Sequence, residues 1–146
     1  MRVSRLAVLV AISSSVMLVP LGINVASGAE SHATKAAMKA ALDQYMQKPS
    51  PHPVGKGAAI KDVYFIGSDT LLVDTTAAFA DEHPSGILQE EMTLASLIET
   101  LSANVPGIAR VKFLVDGKER ETLAGHADLM SFYQVSAVHE LVKELQ

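Results

Sequence analysis

Two side chains with ligand and acid–base character stand two residues apart in Gly125-His126-Ala127-Asp128-Leu129. An imidazole and a carboxylate so placed can share a metal ion, or act as a base and the group that orients it. A metal site needs three or four such ligands. His83, His139 or Glu82 would have to be carried to the pair, and no spacing demands that. The local alternative is simpler: Asp128 accepts backbone hydrogen bonds in a turn, and His126 fills a corner behind Gly125.

The remaining polar candidates are weaker. Ser68-Asp69 and Asp74 flank an expected hairpin, and a nucleophilic serine needs a base and an oxyanion pocket, neither of which is legible. Glu90 and Glu91 could serve as general acids. Their position at a helix start, where negative charge is favoured, explains them without chemistry, and adjacent helical residues do not share a face. Gly86, Gly107, Gly117 and Gly125 are dispersed, so no phosphate-cradling loop is present. Lys112, Lys118 and Arg120 alternate with Asp116, Glu119 and Glu121 as a mixed, solvated hairpin.

The elements that must position these residues follow from periodicity. Residues 31–48 are rich in helix formers, with Ser31 as a cap and Ala33, Ala37, Ala41 and Tyr45 on one stripe beside Met38, Leu42 and Met46. This helix either packs on the domain or spaces it from a membrane. Three prolines and two glycines in residues 48–57 predict a linker. Residues 58–67 and 70–76 predict a strand hairpin around Gly67-Ser68-Asp69, with Val63 and Phe65 on one face and Tyr64 and Ile66 on the other. A short helical turn burying Phe79 follows.

The main helix spans 87–105, with Leu94, Leu97, Ile98, Leu101 and Val105 as its stripe, and Pro106-Gly107 ends it. Residues 108–117 and 118–123 predict a second hairpin around Asp116-Gly117. Residues 135–145 predict a last helix with Val135, Val138, Leu141, Val142 and Leu145 toward the core. The fold class is α+β: a small antiparallel sheet of about four strands with helices packed on one face.

Composition limits the function. At the N-terminus, Arg2 and Arg5 precede an apolar run from Leu6 to Val19, then Pro20 and the small residues Ala26-Ser27-Gly28-Ala29. This is the pattern of a secretory signal peptide over 1–29. Its rival is an uncleaved membrane anchor, weakened by Ser13-Ser14-Ser15, Pro20 and Asn24. In both cases residues 30–146 lie outside the cytoplasm, periplasmic or secreted, and meet a membrane only through the N-terminal segment. There is no Cys, which excludes disulfides, cysteine metal sites and a lipid-modified cysteine. Arg2 and Arg5 are the only charges before Glu30. The rest carries ten basic and sixteen acidic residues, a net charge of −6. A scattered acidic surface argues against nucleic acid, which selects a basic footprint.

The ordered set of residues resembles the GerMN domain, the sporulation and spore-germination type domain. The resemblance runs from 63 to 132. It is carried by Val63-Tyr64-Phe65, Leu72-Val73-Asp74, Glu91 with the Leu94–Leu101 stripe, Pro106-Gly107-Ile108, Val115-Asp116-Gly117-Lys118, Leu123 and Gly125-His126-Ala127-Asp128-Leu129. It implies an extracytoplasmic α+β module without catalysis or cofactor, similar to envelope modules that stack side by side. It also marks Asp74, Asp116, Gly117, Lys118, Gly125, His126 and Asp128 as structural or interaction residues.

The chain departs from the commoner pattern by lacking a lipid-modified Cys, by carrying one copy, and by its helix at 135–145. The expected organisation is therefore a signal segment (1–29), a helix and linker (30–57), and a GerMN-like domain (58–146). The expected function is non-enzymatic association with an envelope protein or with itself, with a possible sporulation or germination role. The alternative is a metal- or small-ligand-binding periplasmic protein using His126 and Asp128.

Overall fold

The structure, a computed structural model, describes residues 25–47 and 54–146, with side chains in the first helix from Lys35 onward. Most of the expected signal segment and the proline-rich 48–53 stretch lie outside the described residues. The elements run α1 (Val25–Gln47), β1 (Ile60–Ile66), β2 (Thr70–Thr75), α2 (Ala77–Asp81), α3 (Ile87–Asn104), β3 (Arg110–Val115), β4 (Tyr133–Gln134) and α4 (Val135–Glu144). The class is α+β, with four strands in one sheet in the order β1-β2-β3-β4.

The first two strands pair antiparallel as expected, but β2 and β3 run parallel, so the sheet is mixed. The cause is the intervening chain: α2 and α3 carry it back across the sheet, and a strand entered after such a crossover runs parallel to the one left before it. Alternation then assigns the faces. Val63, Val73 and Phe113 form one cross-strand row and Phe65, Leu71 and Val111 the next. The buried stripe Leu94, Leu97, Ile98 and Leu101 of α3 belongs to the same core, as its periodicity requires.

Of the two roles open to the first helix, the packed one is realised. Met38, Leu42 and Met46, one turn apart, are buried in the same core as the sheet. The Asp43 carboxylate accepts the Ile60 N–H at 3.1 Å. The helix begins at Val25 and runs through Ser31, so Ser31 does not stand at its start.

The second expected hairpin is shorter than its sequence suggests. Asp116 (φ 49°) and Gly117 (φ 72°) form the tight turn, with both central residues left-handed as a type I′ turn requires. Val115 and Lys118 exchange two hydrogen bonds, 2.9 and 3.1 Å. Pairing stops there. Residues 119–123 are not a strand, because Glu119-Arg120-Glu121-Thr122 offers no apolar alternation to bury. The chain instead loops out, buries Leu123, Ala127 and Leu129, and returns as the two-residue β4 beside Arg110 and Val111.

The last helix also departs from expectation. Val138 is buried and Val135 and Val142 are half-buried, but Leu141 and Leu145 are 44% and 57% exposed. Its apolar stripe is wider than the surface that covers it.

A carboxylate-centred loop and the groove beside it

The centre of the site is Glu90, one turn into α3, with 0% of its surface exposed. An isolated buried carboxylate is costly, and this one is surrounded by donors. Its Oε1 accepts the Gly86 N–H at 3.1 Å and lies 2.9 Å from His126 Nδ1. Its Oε2 accepts the N–H groups of Ala124, His126 and Ala127 at 3.0, 2.9 and 2.8 Å. Those three amides converge because Gly125 adopts φ 117°, a conformation that side chains disfavour. The result is a concave array of N–H groups of the kind that binds anions, filled here by the protein's own side chain.

Desolvation pushes the Glu90 carboxyl upward. The hydrogen bonds from His126 and from the amides of Ala124, Ala127 and Gly86 overcome it, and hold the group far below the ordinary carboxylate range. Glu90 is therefore an ionised acceptor and not an acid. Because an ionised carboxylate only accepts, the short contact to His126 places a proton on Nδ1.

The other ligand candidates are spent elsewhere. His83, buried, holds its ring nitrogens 2.8 Å from the Pro84 carbonyl and 2.8 Å from the Thr93 hydroxyl. His139 pairs with Glu99 at 3.2 Å, and Glu82 accepts the Gly57 N–H at 3.2 Å. They do not join His126 and Asp128, and among the described residues no group of three or more His, Asp or Glu side chains is arranged to hold a metal ion. Asp128 Oδ1 accepts the Met130 N–H at 2.7 Å. Hydrogen bonds from the Ser131 side chain and from Met130 hold its carboxyl below its usual range.

Asp74, buried on β2, accepts the Gly117 N–H at 2.7 Å and so fastens the hairpin turn. Asp116 pairs at the surface with Lys61 at 3.1 Å. Lys112 is not solvated as its alternation suggests: it is buried, paired with Glu119 and lies 5.4 Å from the centre of the Phe132 ring. Among the described residues no buried side-chain nitrogen or oxygen lacks a partner.

His126 and Asp128 do share one surface. With Glu91 they line a groove of about 630 Å³ whose apolar wall is Leu94, Ala95, Val138 and Leu141 and whose end is Phe132. Tyr133 also lines it and bonds to the Asp128 carbonyl. Burial, then the charges of Asp128, Glu91 and Glu90, push the Tyr133 phenol up to about 12, so it stays neutral.

The sheet edges are poorer contact surfaces. On β1 the Asp62 carboxylate occupies the Val63 N–H at 2.7 Å and Asp43 occupies that of Ile60. At the other end β4 has only two residues. Capped or very short edges resist strand addition.

The fold is a small α+β module in which the buried Glu90 and Asp74 carboxylates fasten loops to the core elements. The family model described as "Germane: Sporulation and spore germination" matches residues 14–121, and the chain belongs to that family. A crystal structure described as "Putative Lipoprotein from Clostridium perfringens" is similar at 19% identity and a TM-score of 0.59, over 70% of this chain and 69% of that one. This is a likeness of fold. The first GerMN domain of the sporulation protein GerM from Bacillus subtilis aligns at 18% identity and a TM-score of 0.47, over 77% of this chain and 80% of that one. The tandem GerMN domains of the same protein align at 17% and 0.47, over 77% and 38%. No curated protein sequence matches the chain.

Proposed function

We propose that this protein is a non-enzymatic, extracytoplasmic module that works by associating with another envelope protein or with itself. The observation that carries this reading is the use of Glu90. The carboxylate best placed to do chemistry with His126 accepts five hydrogen bonds inside the fold, and has neither a proton to give nor an open lone-pair face. The family description supports a setting in sporulation or germination, and the N-terminal pattern of charge, apolar run and small residues supports export. Export leaves the domain either released by cleavage or held by its N-terminal segment.

What the molecule offers a neighbour is surface. Phe132 and Leu141, both large, apolar and exposed, line the groove where α4 meets the 126–134 segment. A cluster of this kind marks contact sites in soluble domains. The test is light scattering of the purified chain together with recovery of cross-linked complexes from the envelope of the producing cell. Self-association or a reproducible protein adduct is expected. A strict monomer that yields no adduct overturns the proposal.

A further inference from the structure

The groove between α3, α4 and the 126–134 segment has a chemistry that narrows its occupant. Its walls are apolar, and Leu141 and Phe132 at its mouth are 44% and 42% exposed. Its carboxylate lining residues are Glu91 and Asp128, and among the described residues no Lys or Arg lines it. Lys112 and Arg110 lie over the Phe132 ring at 5.4 and 5.8 Å, and each is already paired, with Glu119 and with Asp69. His126 turns its Nδ1 toward Glu90 and lines the groove beside the two carboxylates. The Tyr133 hydroxyl donates to the Asp128 carbonyl and is not free to donate to a ligand. The groove thus offers acceptors and negative charge around an apolar wall, on a domain of net charge −6 beyond residue 29. An acidic or neutral polar ligand gains nothing there, whereas a donor-rich cation beside apolar groups satisfies both parts.

We propose that this groove is the docking site for a basic, apolar peptide segment of a partner protein. The apolar side chains of that segment lie against Leu94, Val138 and Leu141, and a Lys or Arg lies toward Glu91 and Asp128. A volume of about 630 Å³ is in the range of sites that take a few side chains and not a whole folded surface. This inference rests on the reading that the chain works by protein association, and it adds where and with what chemistry.

The test uses the full chain and three fluorescent twelve-residue peptides with Leu/Lys, Leu/Glu and Ser/Lys at helical spacing, read by anisotropy. The Leu/Lys peptide is expected to bind saturably, at least tenfold tighter than the other two, and more weakly as salt is raised. Leu141→Glu and Glu91→Lys, both at exposed positions and verified as folded by circular dichroism, are each expected to weaken it at least tenfold. Equal binding by the Leu/Glu peptide, binding indifferent to both variants, or no saturable binding overturns the proposal. A wild-type dimer that Leu141→Glu dissolves also overturns it, because the occupant is then a second copy. If an envelope partner cross-links equally to wild type and to Leu141→Glu, the groove assignment fails while the association reading stands.

Discussion

Glu90 shows how a residue that reads as an acid from its type becomes a fastener through its surroundings. Its carboxylate joins the start of α3 to the Ala124–Ala127 loop. Removing one partner of a buried charged network leaves the others unsatisfied, a loss of about 3–5 kcal/mol. Glu90→Ala is therefore expected to lower the unfolding free energy in urea by about that amount. His126→Ala removes one charge-assisted hydrogen bond from a partly exposed ring and is expected to cost about 1–3 kcal/mol, without any response of the melting temperature to zinc or chelator.

The pH dependence has a definite sign. The folded Glu90 carboxyl lies below its ordinary value of 4.5, so its contribution is complete above that value and is lost as pH falls below it. Urea denaturation at pH 7 and pH 3 should show a drop for wild type that is smaller in Glu90→Gln. An equal drop in both would remove Glu90 from the acid limb.

At the scale of elements, two fastenings are testable. Gly117 (φ 72°) sits in the turn that Asp74 holds, and Gly117→Ala is expected to cost roughly 1–2 kcal/mol, the strain of a side chain in the left-handed region. Leu42→Ala, in the buried stripe of α1, is expected to cost about 2–5 kcal/mol. A change near zero would mean that α1 is not part of the cooperative core. Both are measured by thermal or urea unfolding.

The elements that were legible in the sequence are those whose signal is local. The α3 stripe and its Pro106-Gly107 stop, the Asp116-Gly117 turn and the β1–β2 hairpin all follow from neighbouring residues. What escaped depends on distant partners. Glu90 meets amides 34 to 37 residues further along the chain, and only a carboxylate near the start of an apolar helix, taken with Gly125, hinted at it. The resemblance singled out Glu91, which is exposed on the groove, rather than Glu90, which is buried. Residues 118–123 read as a strand because a hairpin turn precedes them, yet they lack a face to bury. β4, at two residues, is too short to carry a period. The half-open stripe of α4 could not be foreseen either, since periodicity tells which side is apolar and not how much of it is covered.

At the scale of the whole molecule, the domain has capped or short sheet edges, no buried side-chain nitrogen or oxygen among the described residues without a partner, and an apolar groove open beside α4. Glu90, Asp74 and His83 hold hydrogen bonds inside the fold, and the proposed association falls to the groove. Export is the accompanying expectation. N-terminal sequencing of the mature protein should begin near Glu30 if the segment is cleaved, and at Met1 or Arg2 if it is kept as an anchor.

The most direct test of the account is a photo-reactive residue placed at Leu141 of the full chain in its producing cell. The account predicts a discrete covalent adduct with a protein at that position, diminished by Glu91→Lys. Irradiation that leaves only the uncross-linked monomer, in cells where the chain is folded and present, would contradict it.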